Sequence, residues 1–100
     1  MKGYMYILKC SDGSYYTGST KDLHYRLIQH ESGLGSKYTS KRLPVELVYF
    51  EEYDRIDLAF SREQQVKKWS KRKKEALING QAEELPRLAK KIFSKIKVRS

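Results

Sequence analysis

The feature that most constrains the fold is an aromatic, apolar run followed by a tight-turn sequence and a second aromatic run. "YMYILKC" leads into "SDGS", which has Asp12-Gly13 at its centre, and "SYYTG" follows. An Asp-Gly pair between two strand-like runs is a strong short-range signal of a β-hairpin. The sequence therefore predicts a hairpin over residues 3–18.

Alternation along that hairpin separates the two adjacent tyrosines. Successive side chains of a strand point to opposite faces, so Tyr15 and Tyr16 cannot have the same role. We expect Tyr15 to pack or to face solvent, and Tyr16 to meet Tyr6 across the hairpin. Gly18 would allow close backbone approach at a point where a side chain would intrude.

Periodicity and capping signals predict the other elements. "TKDLHYRLIQHESG" is helical, with Thr20 as a candidate cap and Gly33 as its stop. "GLGSKYTSKRLP" is a loop by composition, and "VELVYFEEY" is a third strand. Two helices follow, in "LAFSREQQVKKW" and in "KRKKEALI", the second between Ser70 and Asn79-Gly80. The order ββαβαα indicates an α+β fold with a small three-stranded antiparallel sheet flanked by helices.

The last twenty residues have a different pattern from the rest. Apolar side chains recur every three or four positions and lysines fill the remainder, which predicts a basic amphipathic C-terminal helix over residues 81–100. We expect this helix to pack on, or extend from, a domain of residues 1–80, and a dimer contact or an anionic membrane surface is the alternative use. The apolar positions are Ala82, Leu85, Ala89, Ile92 and Ile96.

Charge is distributed unevenly along the chain, which has a formal net charge of +9. Residues 1–60 carry eight Lys/Arg and eight Asp/Glu, whereas residues 61–100 carry thirteen and four. This asymmetry favours a polyanionic partner, either nucleic acid or an anionic membrane surface, and we expect nucleic acid in preference to a merely solvated basic face. One cysteine, Cys10, excludes an internal disulfide and a Cys-rich zinc site. With no apolar run long enough to span a bilayer, we expect a soluble cytoplasmic protein.

Three polar side chains lie where helices are expected to face the sheet. Glu63 is four residues after Ala59 and three before Val66, on an apolar stripe where a carboxylate is unfavourable unless paired with a cation or a metal. A rim glutamate paired with a lysine is an equal alternative. Arg26 and His30 share a helix face, which is either an ordinary polar face or a phosphate grip beside a proton shuttle.

Basic residues around an aromatic side chain in "GSKYTSKR" are typical of contact with a sugar-phosphate chain and an exposed base. A solvated surface loop is the simpler alternative. Lysines that follow Glu63 extend the same basic character along the predicted helices. The candidate nucleic-acid contacts are Lys37, Tyr38, Lys41, Arg42, Lys67 and Lys71.

Taken in chain order, these features resemble the GIY-YIG nuclease superfamily, especially its compact standalone members, which are related to the N-terminal nuclease module of a bacterial excinuclease. The resemblance covers about residues 3–79. The first signature lacks its Gly and Ile, and the second has Thr in place of Ile, both at packing positions. The matching residues are Tyr4-Met5-Tyr6, Tyr16-Thr17-Gly18, Arg26, His30 and Glu63.

The resemblance implies a metal-dependent DNA endonuclease that hydrolyses phosphodiester bonds, in DNA repair or processing. Tyr6 would be the general base or would position the attacking water, and Tyr16 would support that water or the phosphate. Arg26 would stabilise charge that develops on the phosphate, with His30 as a helper. Glu63 would be the protein ligand of one Mg²⁺ or Mn²⁺. Because a free phenol titrates at about pH 10, we expect a cation such as Arg26 to lower the Tyr6 pKa.

Two other functions remain open from the sequence. One is a nucleic-acid-binding module of the same fold with weak or lost catalysis, and the other is a basic protein–protein adaptor that uses the apolar seam of residues 82–96. For the nuclease, DNA is the expected partner. A targeting protein or the shape of the DNA would select the substrate. We expect a monomer or weak dimer and no membrane partner.

Overall fold

The computed structural model describes residues 1–80 of the 100-residue chain, so the basic helix predicted over 81–100 lies outside the described residues. Within the described part, no helix combines the length and the apolar content needed to cross a membrane. In chain order the elements are β1 (Gly3–Lys9), β2 (Tyr15–Thr20), α1 (Leu23–Glu31), α2 (Lys37–Ser40), β3 (Glu46–Tyr53), α3 (Ile56–Lys67) and α4 (Lys71–Ile78).

The three strands form an antiparallel sheet in the order β2-β1-β3, which confirms the predicted hairpin and third strand. The hairpin turn is closed by Asp12, whose carboxylate accepts hydrogen bonds from the backbone N–H and the hydroxyl of Ser14. Gly13 has a φ of 85°, in the left-handed region that glycine adopts without strain. Since β1 is central, β2 is left as an edge strand whose side chains meet helices from both faces.

Alternation along β1 divides the core into two layers, one on each face of the sheet. Met5 and Ile7 pack with residues of β3, α3 and α4 on one face. Tyr6 and Leu8 pack on the other face, against Leu23 and Leu27 of α1 among others. The sheet therefore lies between α1 on one side and α3 and α4 on the other, and α+β is the observed fold class.

Helix boundaries mostly follow the predicted caps, with two corrections. Ser70 caps α4 by accepting from the backbone N–H of Lys73, as expected. Asp22, rather than Thr20, is the N-cap of α1, because its carboxylate accepts from the Tyr25 N–H. The stretch predicted as a loop after α1 contains the short helix α2, so the order is ββααβαα. Ser36 caps α2 through the Thr39 N–H.

A buried ion pair fixes α3 on the sheet and so fixes the helix that carries Glu63. Glu51 of β3 is fully buried, and Nε of Arg62 lies 3.1 Å from its Oε1 atom. The hydroxyls of Tyr49 and Tyr53 donate to the same carboxylate at 2.5 and 2.6 Å. Burial, followed by the negative charge of Glu51, raises the pKa of both phenols. Both tyrosines therefore remain donors at neutral pH.

Candidate active site

A hydrogen-bonded chain of buried polar groups joins β1 to α1 and α2. The Tyr6 phenol oxygen lies 2.8 Å from Nε2 of His30, and Nδ1 of His30 lies 2.9 Å from Oγ1 of Thr39. Tyr6 is 1% exposed, and His30 and Thr39 are fully buried. The three side chains therefore hold one another in place with almost no contact with bulk water.

Two glycines leave the space that this chain occupies. Gly18 is the direct partner of Tyr6 in the β1–β2 ladder, and a Cβ atom there would lie 2.6 Å from the Tyr6 phenol oxygen. A Cβ atom on Gly35 would collide with the imidazole of His30. The second signature therefore ends in glycine because the phenol of the first lies against its backbone.

A row of rings runs from buried Tyr6 towards the surface. The ring centroids of Tyr6 and Tyr16 are 6.4 Å apart, and those of Tyr16 and Tyr38 are 6.1 Å apart in a stacked arrangement. Tyr38 is 37% exposed, and the guanidinium carbon of Arg42 lies 3.8 Å from its ring centroid. Tyr16 pairs directly with Leu8 and reaches Tyr6 diagonally, so the expected meeting of the two phenolic rings is observed.

Arg26 is held rigidly by α1 and the loop that follows it. Its Nη2 donates to the Gly35 carbonyl at 2.8 Å, and its Nη1 donates to Oε1 of Gln29 at 2.9 Å. Burial alone would lower the Arg26 pKa, but the phenols of Tyr6 and Tyr16 beside it raise that pKa overall. A guanidinium fixed by two acceptors still has further N–H donors for an anionic ligand.

Arg26 lowers the pKa of Tyr6 as expected, but burial has the larger and opposite effect. Burial raises the pKa of Tyr6 to about 12, and the opposing effect of Arg26 is too small to reverse this. Burial also lowers the pKa of His30 to about 4, with the charge of Arg26 acting in the same direction. At neutral pH the pair therefore consists of a neutral phenol and a neutral imidazole.

Glu63 approaches the edge strand from the opposite face of the sheet. Its side chain is 10% exposed, and it accepts a hydrogen bond from the Ser19 hydroxyl at 2.6 Å and forms an ion pair with Lys67 at 3.1 Å. The carboxylate is buried and paired with a lysine, as the simpler of the two interpretations expected, and its role as a metal ligand stays a prediction. Tyr6 lies against Gly18 of β2, and Glu63 accepts a hydrogen bond from Ser19, the next residue. The two side chains therefore contact this edge strand at adjacent residues.

A family model described as the GIY-YIG catalytic domain matches residues 2–76. The chain belongs to the GIY-YIG family. The match confirms the resemblance inferred from the signatures, which lie on β1 and β2, and GIY-YIG is a family of nucleases.

Relatives of the chain are small GIY-YIG proteins named UPF0213. One from Staphylococcus saprophyticus is 50% identical over 78 residues, which is 78% of this chain and 95% of that protein. One from Haloquadratum walsbyi is 47% identical over 74 residues, which is 74% of this chain and 83% of that protein. Their names assign no activity, so the comparisons establish the nuclease family and leave the reaction of these members open.

Two solved structures share the fold. The solution NMR structure of a UPF0213 protein from Bacillus halodurans has a TM-score of 0.54 at 43% identity. The match covers 84% of this chain and 89% of the Bacillus chain. The solution NMR structure of a protein from E. faecalis has a TM-score of 0.56 at 34% identity. The match covers 86% of this chain and 92% of the E. faecalis chain.

The predicted nucleic-acid contacts fall into two groups in the GIY-YIG domain. One group lies on or just after α2, where the Tyr38 ring is stacked on Tyr16 and Arg42 is partly neutralised by Asp12 at 3.1 Å; it consists of Lys37, Tyr38, Lys41 and Arg42. The second group, Lys67 of α3 and Lys71 of α4, lies on the opposite face of the sheet from α2. Lys67 is paired with Glu63, and Lys71 has its ammonium 6.0 Å from the ring centroid of Tyr15.

Several side chains of the site were missed from the sequence. Ser19 could have been found by alternation, because it shares a face of β2 with Tyr15, the face opposite to that of Tyr16. No sequence signal indicated Thr39, which lies in the segment predicted as a loop. Its contact with His30 exists only because α2 folds back over α1.

Proposed function

We propose that this protein is a metal-dependent endonuclease that hydrolyses phosphodiester bonds in DNA, in repair or processing. The observation that most supports this is the arrangement at the edge strand β2. The Arg26 guanidinium and two phenols lie on one face of this strand, and the Glu63 carboxylate reaches it from the other face. A fixed cation beside phenols and a separate carboxylate suit cleavage of a phosphodiester, and simple DNA binding needs no such carboxylate.

Each residue has a distinct role in this proposal. Arg26 binds the scissile phosphate and stabilises the charge that increases on it in the transition state. Tyr16, whose half-buried ring lies between those of Tyr6 and Tyr38, contacts the phosphate or the attacking water. Tyr6 takes part in removing a proton from that water, with His30 as its hydrogen-bond partner.

The residues present fit one Mg²⁺ or Mn²⁺ ion. Both metals prefer oxygen ligands, and Mg²⁺ is commonly bound by one or two carboxylates plus water and substrate phosphate oxygens. The family resemblance implies Glu63 as the protein ligand, and no cluster of three or more His, Cys, Asp or Glu that could hold a metal is found in the described part of the chain. Ser19 orients one of its oxygens, and the other is paired with the half-exposed Lys67, which an ion can displace. Such an ion supplies charge neutralisation at the phosphate and water activation.

The surface around α2 is the proposed DNA contact. The Tyr38 ring is 37% exposed and the Arg42 guanidinium lies over it, so a base would stack on the guanidinium or displace it, and Lys37 and Lys41 are cations beside this pair for the phosphate chain. This surface leads directly to Tyr16 through the stacked rings. Single-stranded or unpaired DNA therefore suits it best, because bases in a duplex are already stacked on each other.

The experiment is a cleavage assay on nicked, flapped, single-stranded and plain duplex DNA with Mg²⁺, Mn²⁺ or EDTA. Wild type is compared with Arg26→Ala and Glu63→Ala. Arg55→Ala and Glu31→Ala are matched controls, since they remove the same side chains from exposed positions. We expect metal-dependent cutting that both site variants abolish and both controls retain.

Two outcomes would count against the proposal. If no substrate is cut with either metal, or if both site variants cut as well as wild type, the endonuclease assignment fails. Salt-dependent DNA binding without cutting would instead favour a nucleic-acid-binding module with lost catalysis. The absence of salt-sensitive binding would point to the protein–protein adaptor.

A further inference from the structure

The hydrogen bond between Tyr6 and His30 continues beyond the imidazole to the protein surface. Oγ1 of Thr39 lies 2.9 Å from Nδ1 of His30 and 2.9 Å from Oγ of Ser36. Ser36 is only partly buried, whereas the three residues before it in the chain of bonds are 0–1% exposed. An unbroken series of exchangeable hydrogens therefore links a buried phenol to solvent.

The direction of these hydrogen bonds follows from the neighbours of Tyr6. Arg26 lies beside the phenol and is a donor only, so it cannot accept the phenolic hydrogen. In residues 1–80 the acceptor at hydrogen-bond distance is Nε2 of His30. If Tyr6 donates to Nε2, then the single proton of the neutral imidazole is on Nδ1 and is donated to Thr39.

We infer that Tyr6 holds His30 in the tautomer with its proton on Nδ1, and that Thr39 and Ser36 form the path by which a proton leaves Tyr6 for solvent. This path gives the phenolic proton a route to solvent that the burial of Tyr6 otherwise prevents, since bulk water has almost no access to the phenol. Thr39 accepts from Nδ1 and is the next carrier of the proton. The kinetic part of this inference rests on the proposed nuclease function, and the tautomer part does not.

The transfer balances at every atom. The attacking water gives a proton to the Tyr6 oxygen as the phenolic proton moves to Nε2 of His30. The Nδ1 proton moves to Oγ1 of Thr39, the Thr39 hydroxyl proton moves to Oγ of Ser36, and the Ser36 proton passes to solvent water. Every carrier ends neutral with one proton, and the hydroxide formed attacks phosphorus. After product release, Ser36 takes a proton from solvent and Tyr6 returns one to water, which restores the first tautomer.

The charges that a stepwise route would create are unfavourable in this site. Burial raises the pKa of Tyr6 to about 12, so a phenolate is disfavoured at neutral pH. Burial and Arg26 lower the pKa of His30 to about 4, so an imidazolium is disfavoured as well. A relay in which each group gains one proton as it loses another requires neither ion.

The first test is the tautomer of His30, read from two-bond ¹H–¹⁵N correlation spectra of the labelled protein. We expect a protonated Nδ1 and a bare Nε2 in wild type and in Thr39→Ser. In Thr39→Val, Tyr6 still donates to Nε2, so we expect the same tautomer, and any loss of kcat in that variant then reports the missing carrier. Exposed His24 is the internal reference. A protonated Nε2 in wild type would overturn the inference.

The second test is kinetic and uses the same variants on a substrate that wild type cuts. We expect Thr39→Val to lower kcat at least tenfold with little change in KM, and Thr39→Ser to recover most of that loss. Ser40→Ala, in the same short helix, is the control. Full kcat in Thr39→Val would refute the relay.

Two further results keep the inference separate from protein stability and from the nuclease assignment. If Thr39→Val does not fold, Ser36→Ala takes its place, because it removes the solvent end of the path. It should leave the His30 tautomer as in wild type and lower kcat, and an unchanged kcat would refute the path. If wild type cuts no DNA, the proposed function fails, while the ¹⁵N spectra still decide whether Nδ1 of His30 carries the proton.

Discussion

Gly18 lies directly opposite Tyr6 in the β1–β2 ladder, and its missing side chain is what accommodates the Tyr6 phenol. The phenol oxygen would lie 2.6 Å from a Cβ atom on Gly18, closer than two such atoms can pack. One signature residue thus makes room for another. The spacing of the two signatures along the hairpin determines that they meet.

Gly18→Ala should therefore displace Tyr6 from His30. Overpacking of this kind costs about 1–3 kcal/mol, so we expect a lower unfolding temperature together with a loss of cleavage of at least tenfold. The measurements are thermal unfolding and the rate of DNA cleavage. Lys9→Ala, on an exposed position of β1, should change neither. Wild-type cleavage by Gly18→Ala would show that the position of Tyr6 does not matter.

Burial of His30 predicts a loss of stability in mild acid. Its pKa is about 4 in the folded protein and 6.5 in its ordinary state, so below pH 6.5 the unfolded chain binds a proton that the folded chain does not. Stability from this group is complete above pH 6.5 and is lost as the pH falls towards 4. The full effect is about 3 kcal/mol.

Urea unfolding between pH 7 and 5 measures this effect in a range where most carboxylates remain ionised. We expect the free energy of unfolding of wild type to fall with pH, and that of His30→Gln to change much less. His24→Gln alters an exposed imidazole and should keep the wild-type dependence. A flat wild-type profile would contradict the buried, neutral state of His30.

Local sequence patterns predicted most of the architecture because their causes are local. The Asp12-Gly13 turn, the strand alternation that separates Tyr15 from Tyr16, and the Ser70 cap each act over a few residues. The family signatures then identified the five candidate catalytic residues, of which Tyr6, Tyr16, Arg26 and His30 gather on one face.

The features that could not be predicted depend on packing between distant segments. Glu51 and Arg62 read as ordinary charged positions of a strand and a helix, and only their mutual burial reveals the pair. The pKa of Tyr6 is another example, because the nearby cation was visible in the sequence and the degree of burial was not. Burial outweighs the cation, and only the structure gives their balance.

Lys67 is paired with Oε2 of Glu63, an oxygen that the proposed metal ion would also use. We expect Lys67→Met to bind Mn²⁺ more tightly by roughly twofold, because an exposed i,i+4 ion pair contributes about 0.3–0.5 kcal/mol. Glu63→Gln should abolish specific Mn²⁺ binding. Electron paramagnetic resonance of Mn²⁺ without DNA measures both effects and excludes any contribution of Lys67 to DNA affinity.

The matched control for this prediction is Lys68→Met, which removes the neighbouring exposed lysine of the same helix end. It should leave Mn²⁺ affinity within experimental error of wild type. Equal Mn²⁺ binding by Glu63→Gln and wild type would place the metal elsewhere.

The stack of Tyr38 on Tyr16, covered by Arg42, predicts two separable effects on DNA binding. Tyr38→Ala should weaken binding of single-stranded DNA about tenfold, since stacking of one base is worth about 1–3 kcal/mol, while Tyr38→Phe keeps the ring and the affinity. Lys41→Ala should instead reduce the slope of log affinity against log salt by about 0.7, the loss of one phosphate contact on a single strand. Fluorescence anisotropy across a salt series distinguishes them, because a lost stacking contact lowers affinity without changing the slope. If Tyr38→Ala changed the slope and left affinity at low salt unaltered, the ring would have no role in base stacking.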